Sequence, residues 1–230
     1  MSAGTTPAHP AIMTDQIQAG AAVPADSPIP TPIVQTSRLI LRAMHSPDAP
    51  TLQKLCAPFE ITKYMSLAFA HPYTLQHAET WVAMQVANPG QAYVICLKES
   101  PERVIGGIGI KPGSDVQAHC AEVGYWIGIP YWGKAYTTEA LRAFTSYIYT
   151  ERHDTYRRLF AGVFEGNDGS MKCLERCGYV KEGIFKGHVE KHGQTLDLHM
   201  FGLTRTDWEE SWTGKEVRRW NEEDKVWIWA

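Results

Sequence analysis

The chain of 230 residues lacks several patterns that would assign it to a class at once. No apolar run approaches the ~20 residues that a helix needs to span a bilayer. No Lys or Arg precedes Arg38, so neither the basic start of a secretory signal nor an arginine-rich transit peptide is present. The net charge of -3 provides no basic excess for a nucleic-acid surface. We therefore expect a cytoplasmic protein that binds neither membranes nor nucleic acids.

Cysteine is scarce and forms no recognisable framework. There are five cysteines, an odd number, and no two are separated by only two residues. Cys173 and Cys177 would lie one turn apart if their segment is helical. We expect all five to be reduced thiols in a reducing compartment.

Composition divides the chain into three parts. Residues 1–35 are rich in Ala, Pro and Thr and almost uncharged, so they bury too little apolar surface to offset their ordering entropy. We expect a disordered leader there. Residues 36–208 have the patterns of one globular domain. Residues 209–230 are a Trp-rich extension, in which 217–230 predict a hairpin with its turn at 221–224. This extension is expected to dock on the domain or on a second subunit, as in a homodimer.

Hydrophobic periodicity predicts an α/β mixture from residue 38 onward. The predicted order is strand, two helices, hairpin, strand, helix, strand, helix and two strands. Strands 92–98 and 104–111 form the hairpin, with 99–103 as its turn. Thr74 caps one helix, and the last two helices are 137–152 and 167–177. This order predicts a single domain with a mixed, mostly antiparallel sheet of about seven strands, flanking helices and a parallel unit in its middle.

A glycine-containing loop connects a predicted strand to a helix at residues 131–140. Consecutive N–H groups at a helix N-terminus, together with the helix dipole, form an anion site suited to a pyrophosphate. Gly133 allows close approach, and the small Ala135 leaves the loop uncrowded. Lys134 adds positive charge, and two threonine hydroxyls add donors. A tight turn without a ligand is the alternative; neither a P-loop nor a GxGxxG pattern is present.

Four segments, in the same order, resemble the GNAT superfamily in its RimJ/RimL-like branch. Residues 122–140 are similar to its acetyl-CoA motif, Gln/Arg-x-x-Gly-x-Gly/Ala, with Pro130 and Ala135 at two of the motif positions. Residues 36–42 resemble the opening strand. Residues 167–179 resemble the Asn-x-x-Ser helix, and 197–208 resemble the closing strand. The resemblance spans residues 36–208.

The resemblance implies a GNAT-like fold and an N-acetyltransferase. Such an enzyme moves an acetyl group from acetyl-CoA to a primary amine, on a protein N-terminus or a small molecule, by direct attack in a ternary complex. The strand before the loop is implied to splay from its parallel neighbour and to hold the pantetheine arm. The implied cofactor-binding residues are Trp126, Ile127, Gly128, Trp132, Gly133, Lys134, Ala135, Tyr136, Thr137, Thr138, Asn167 and Ser170. A non-catalytic acyl-CoA-binding sensor or interaction module is the alternative.

Two residues are candidates for the chemistry. Glu122 is a carboxylate inside an otherwise apolar strand, and it could act as the base, directly or through water. The family resemblance places Ser170 near the thioester sulfur, where a hydroxyl could donate to the leaving thiolate. The superfamily often uses a Tyr on this helix, which has none here. A structural Glu122 paired with an Arg is the competing interpretation.

Other side chains leave alternatives open. Cys120, Cys173 or Cys177 could carry an acetyl group in a ping-pong route. His188, Glu190 and His192 have the order HxExH, which is not a zinc motif, so no metal is predicted. His188 could still touch the acceptor. The acceptor groove is expected along residues 59–73 and 185–196, with an aromatic set that packs partly in the core: Tyr64, Met65, Phe69, His71 and Tyr73.

Overall fold

The computed structural model describes residues 28–212, 218–221 and 226–229. The helices of this part are α1 (Ala49–Cys56), α2 (Phe59–Thr62), α3 (Leu75–Ala87), α4 (Tyr136–Glu151), α5 (Asp168–Arg176) and α6 (Arg205–Trp212). The strands are β1 (Pro32–Gln35), β2 (Leu39–Ala43), β3 (Ala92–Leu97), β4 (Ser100–Pro112), β5 (Cys120–Ile127), β6 (Arg158–Phe164), β7 (Val180–Lys191), β8 (Gln194–Thr204), β9 (Arg218–Asn221) and β10 (Val226–Trp229).

In the described part of the chain, all the strands join one ten-stranded sheet with the order β7-β8-β6-β5-β4-β3-β2-β1-β10-β9. Strands β5 and β6 pair in parallel in its middle, and most other neighbours are antiparallel. The predicted α/β architecture and its central parallel unit are therefore confirmed. The seven expected strands correspond to β2–β8, and β1, β10 and β9 extend the sheet beyond β2.

Two boundaries differ from the sequence prediction. The leader was placed at 1–35, but β1 is a strand whose Val34 is fully buried and pairs with Leu41 of β2. The composition of the leader does not reveal this strand. Strand β1 is stabilised by pairing with a partner strand rather than by its own residue types. Residues 1–27 lie outside the described part. The hairpin turn is also tighter than 99–103, because a register shift in β3 pairs Leu97 with Ser100.

The C-terminal extension forms the predicted hairpin. Strand β10 pairs antiparallel with β9, and it also pairs in parallel with β1, where Trp227 faces Val34. The buried Val226 belongs to this added edge. The extension therefore docks on its own domain; residues 222–225 of the predicted turn lie outside the described part.

Helices cover both faces of the sheet, which leaves two cores. One core lies under α4, α5 and α6 and contains Phe144, Leu174 and Trp208. The other lies under α1–α3 and contains Leu52 and Val82. Strand β5 is central, and its side chains alternate between the two faces of the sheet. Residues near its carboxyl end therefore contact both cores.

Candidate functional site

Strands β5 and β6 separate part of the way along their length. They pair only from Cys120–Arg158 to Glu122–Phe160, whereas β5 stays paired with β4 as far as Ile127. The space between residues 123–127 and 161–164 is called the gap below. The splaying that the family resemblance implied is thus confirmed, and backbone groups of β5 are left facing the gap without a strand partner.

The hydrogen-bond register shows which β5 groups face the gap. Gly113 N–H donates to the Cys120 carbonyl at 2.9 Å, and Gly128 N–H donates to the Ile105 carbonyl at 2.9 Å. In an antiparallel ladder, bonded and non-bonded pairs alternate. The backbone groups of even-numbered β5 residues therefore point to β4, and those of Val123, Tyr125 and Ile127 point to the gap.

The register shows how the backbone of each predicted pantetheine contact is oriented. Both backbone groups of Gly128 are used within the protein, because its carbonyl accepts from Tyr131 N–H at 2.9 Å. The backbone of Trp126 points to β4. Ile127 faces the gap, but its carbonyl accepts from the Trp132 indole N–H at 2.8 Å. Val123 and Tyr125, which the sequence analysis did not name, have backbone groups that face the gap, and only the register against β4 identifies them.

The predicted anion loop has the expected strand–loop–helix form. Gly133 has φ 73° and Ala135, which caps α4, has φ 61°, so both lie in the left-handed region. The first hydrogen bond of the helical ladder runs from Glu139 N–H to the Ala135 carbonyl at 3.1 Å. The N–H groups of Tyr136, Thr137 and Thr138 precede it and are therefore available to an anion.

Two residues that the sequence analysis did not single out form an ion pair at this loop. The Glu139 carboxylate accepts from Thr36 Oγ1 at 2.6 Å and from Arg38 Nε at 2.7 Å. Arg38 also donates from Nη1 to the Lys134 carbonyl at 3.1 Å and lies over the Tyr136 ring at 4.6 Å. A carboxylate in the first turn of an anion-binding helix repels the anion unless a cation neutralises it. Glu139 in that position was the sequence signal for a cationic partner.

Other loop residues have definite positions. Trp132 is 48% exposed, and Lys134 Nζ lies 5.7 Å from the centroid of the Tyr131 ring. The Thr138 hydroxyl was predicted as a phosphate donor, but it lies 3.6 Å from Cys173 Sγ on α5. It is turned away from the loop, because residues on one helix face point to the neighbouring helix.

Helix α5 brings a hydroxyl pair to the other end of the gap. Asn167 Oδ1 caps the helix by accepting from Ser170 N–H at 3.3 Å. Tyr125 Oη lies 3.0 Å from Ser170 Oγ and donates to the Ser170 carbonyl at 3.2 Å. Burial raises the pKa of Tyr125 well above its usual value, so its hydroxyl stays protonated. A tyrosine hydroxyl from β5 therefore lies beside Ser170, although α5 itself carries no tyrosine.

Cys173 lies beside this pair. A hydrogen bond from Cys177, assisted by Thr138 and Tyr125, lowers the pKa of the Cys173 thiol to about 7 against the opposing effect of burial. The same hydrogen bond and burial raise the pKa of Cys177. All five cysteines are free and buried.

A cleft of about 460 Å³ opens on this end of β5, and it includes the gap. Glu122, Tyr125, Asn167 and Ser170 all line it. Tyr125 packs with the core under α4–α6, and Trp126 packs with the core under α1–α3. Because side chains alternate along a strand, Glu122 shares the face of Trp126 and lies on the opposite face from Tyr125. Within residues 28–212, the Glu122 carboxylate has no hydrogen-bond or ion-pair partner, which disfavours the structural interpretation.

The predicted acceptor segment is only partly at the cleft. Tyr64, Met65 and Phe69 line it. Tyr73 is buried in the core, and His71 packs against the Phe59 ring at 5.1 Å. Lys191 Nζ donates to the carbonyls of Thr62, at 2.6 Å, and of Met65, and so fastens the segment to the β7–β8 turn.

The described part of the chain contains neither a metal cluster nor a membrane-spanning helix. His188, Glu190 and His192 are not gathered with other ligands, and this part of the chain holds no cluster of three or more His, Cys, Asp or Glu that could bind a metal ion. No described helix combines the length and the apolar surface needed to traverse a lipid bilayer.

Comparison with known proteins places this geometry in a family. Residues 38–180 match the GNAT acetyltransferase domain. An uncharacterized N-acetyltransferase of Bacillus licheniformis is 32% identical over 178 residues, which make up 75% of this chain and 96% of that protein. The alanine N-acetyltransferase of ribosomal protein uS5 from Escherichia coli K12 is 29% identical over 192 residues, 79% of this chain and 95% of that protein.

Solved structures agree on the fold. RimL, the ribosomal L7/L12 alpha-N-protein acetyltransferase, in complex with coenzyme A, superposes with a TM-score of 0.65 at 20% identity, over 75% of this chain and 97% of that chain. The family match covers more than half of this chain, and it includes β5, the anion loop and α5. The chain belongs to the GNAT acetyltransferase family and is an acetyl-CoA-dependent N-acetyltransferase.

Proposed function

We propose that acetyl transfer occurs by direct attack of an amine in a ternary complex, with Glu122 as the base. Glu122 and the Tyr125–Ser170 hydroxyl pair lie on opposite faces of the sheet, on either side of the gap. An amine approaching from the Glu122 face loses its proton there, directly or through water. The departing thiolate receives a proton from the hydroxyl pair on the other face. This opposed placement is the observation that supports the proposal.

The cofactor is proposed to occupy the loop and the gap together. Its pyrophosphate accepts from the N–H groups around Gly133 and at the start of α4, with Lys134 adding charge. Its pantetheine arm pairs with the β5 backbone groups that lack a strand partner, at Val123, Tyr125 and the Ile127 N–H. Trp132 shields the end of β5 by its indole bond to Ile127.

A covalent acetyl-cysteine route competes with direct attack. Cys173 is the one predicted carrier beside the hydroxyl pair, and the hydrogen bond from Cys177 lowers the pKa of its thiol, which favours the thiolate. Its side chain is buried, however, on the face opposite Glu122, so an acetyl group held there would be separated from the base. Direct attack requires only the cofactor in the gap and the amine at Glu122.

The acceptor is proposed to be a primary amine on a protein N-terminus or a small molecule. The relative that acts on ribosomal protein uS5 is named for an alanine acceptor, which supports the first option. A cytoplasmic location is supported by the five free, buried thiols. The homodimer remains a prediction, as does the absence of nucleic-acid and membrane partners.

Two-substrate initial-rate kinetics, measured by thiol release from acetyl-CoA, test the mechanism. Double-reciprocal plots should intersect, as expected for a ternary complex. The variant Glu122→Gln should lower kcat about 10²-fold or more, because the base is lost. The affinity for acetyl-CoA, measured by calorimetry, should stay unchanged.

The variant Cys173→Ser is the matched control, because it should retain kcat. Parallel double-reciprocal lines, together with loss of turnover in Cys173→Ser, would establish the covalent route instead. Full activity of Glu122→Gln at every pH would remove Glu122 as the base.

A further inference from the structure

The acceptor side of the cleft has an open floor beside Glu122. Gly124 stands between Glu122 and Trp126 on the same face of β5. A methyl group placed on Gly124 would meet no atom within 4 Å. The space above Gly124, bounded by the Glu122 carboxylate and the Trp126 indole, is called the slot below.

Apolar side chains line the cleft around the slot. Trp126, Met65, Phe69 and Trp81 line the cleft and pack in the same hydrophobic cluster under α1–α3. The Phe69 and Trp81 rings are tilted against each other, with centroids 5.3 Å apart. Aromatic rings and a thioether offer dispersion contacts and few hydrogen bonds.

The segment that carries Met65 and Phe69 is held in place by hydrogen bonds from two directions. Lys191, which is only 6% exposed, donates to the Thr62 and Met65 carbonyls. Tyr64 Oη donates to the Gly166 carbonyl at 2.8 Å, next to the cap of α5. The segment that carries Met65 and Phe69 is thus tied to the β7–β8 turn and to the thioester end of the gap, so the slot is preorganised for its occupant.

Charge in the cleft restricts the acceptor to one positive group. Glu122 is the one carboxylate among the described residues that line the cleft. Its register partner on β4 is Lys111, which lines the cleft on the same face. A second ammonium group would therefore meet a lysine and apolar walls, and an unpaired buried charge is strongly disfavoured.

We infer that the acceptor is a monocationic primary amine joined by a short linker to an aromatic or similarly flat apolar group. Its ammonium group pairs with Glu122, and its ring lies on Gly124 against Trp126, beneath Met65 and Phe69. Free arylalkylamines and proteins with an aromatic N-terminal residue share this chemistry. The inference rests on the proposed function, because it assigns the amine to the Glu122 face.

Thiol release from acetyl-CoA over a matched panel tests the inference. The panel contains phenethylamine, ethylamine, spermidine, and two hexapeptides that differ only in an N-terminal Phe or Ser. Phenethylamine or the Phe peptide should exceed ethylamine, spermidine and the Ser peptide in kcat/KM by about tenfold or more. A preference for the free amine over the Phe peptide, or the reverse, identifies the source. A preference for spermidine or the Ser peptide would overturn the inference.

The variant Gly124→Val tests the slot itself. Gly124 has open space and ordinary strand geometry, so a β-branched residue should fold there and occupy the floor. It should lower kcat/KM for phenethylamine at least about tenfold more than for ethylamine, while Leu67→Ala on the exposed side of the same segment changes neither.

Equal losses with both amines in Gly124→Val would place the acceptor elsewhere and overturn the inference, even with acetyl transfer intact. If calorimetry shows acetyl-CoA binding but no amine in the panel releases thiol, the proposed function fails together with the inference. The two failures are therefore distinguishable.

Discussion

Tyr125 has two separate roles at the gap. Its backbone groups face the gap, where the pantetheine arm is proposed to pair, and its side chain reaches the opposite face to contact Ser170. Because burial raises the pKa of Tyr125, the hydroxyl remains a proton donor throughout the range of a neutral assay. A thiolate leaving at this face would meet a protonated tyrosine rather than water.

The variant Tyr125→Phe should isolate the protonation of the leaving group. It removes the donor and keeps the ring that packs under α5, so folding and acetyl-CoA affinity should be retained. We expect kcat to fall about 10²-fold with an unchanged KM for the amine, because the lost interaction acts on the departing thiolate. The variant Tyr156→Phe, in the same core but away from the gap, is the control. An unchanged kcat in Tyr125→Phe would show that Ser170 or solvent supplies the proton.

Residue types at the site were predictable, but their orientation was not. Glu122 could be singled out as a carboxylate in an apolar strand, and Ser170 from the family resemblance; both line the cleft. Trp126 and Gly128 were assigned to pantetheine on the family resemblance. Their backbone groups point to β4, as the bond from Gly128 to Ile105 shows. Successive residues of a strand point in opposite directions, so a shift of one residue in the register reverses the predicted direction of every backbone group. The register of β5 is set by its pairing with β4.

The start of α4 is held by the segment between β1 and β2. Glu139 accepts hydrogen bonds from Thr36 and Arg38, and Arg38 in turn holds the Lys134 carbonyl. Arg38 neutralises the carboxylate and shapes the loop at the same time. The left-handed conformation of Ala135 is unusual for a residue with a Cβ, and it persists because its surroundings impose it.

Removing either member of the Arg38–Glu139 pair should weaken acetyl-CoA binding. Arg38→Ala and Glu139→Ala should each raise the KM for acetyl-CoA about tenfold at unchanged kcat, because a freed loop no longer presents its N–H groups to the pyrophosphate. The double variant should be no worse than either single variant, since the pair acts as one unit. Steady-state kinetics measure all three.

The control for this pair is Arg205→Ala, which removes the same charge from α6. Binding of dephospho-CoA should weaken by the same factor as binding of coenzyme A, because the pair acts through the pyrophosphate loop. An increase in KM for the amine alone, or additive effects in the double variant, would contradict the role of the pair.

Elements with local signals matched their predictions, and elements that depend on distant partners did not. Helix α5 is marked by its Asn167 cap and by Gly178, which has φ 83° at the helix end. Strand β1 consists of four residues that pair with β2 and β10 and bury Val34 in the core under α4–α6. Nothing in the composition of residues 1–35 indicates a strand, because that support comes from both ends of the domain.

In the whole molecule, the two groups proposed to move protons in the reaction lie on opposite faces of the sheet. Helices α1–α3 cover the side with Glu122, Trp126 and the slot, and α4 and α5 cover the side with Tyr125 and Ser170. The gap is the one place in the described part of β5 and β6 where the two sides communicate. An acetyl group in the gap can therefore meet an amine on one side and lose its thiolate to the other.

The C-terminal hairpin completes this sheet at the edge opposite β7. Strand β10 covers β1, and Val34 and Val226 are 0% and 1% exposed. Strand β1 leads directly into Thr36 and Arg38, which fasten the anion loop. The hairpin therefore stabilises the domain and, through β1, the position of the cofactor loop.

Deletion of residues 213–230 should lower the thermal stability without abolishing acetyl-CoA binding. Exposing Val34 and losing Val226 removes about 1.5–3 kcal/mol of burial for each side chain, which corresponds to a fall in Tm of about 5 °C or more. Circular dichroism melts measure the change, with Leu67→Ala as a control of unchanged Tm. The deletion should leave any dependence of Tm on protein concentration unchanged, because the hairpin docks on its own domain. A Tm that rises with concentration, and loses that dependence in the deletion, would instead show that the hairpin is exchanged with a second copy.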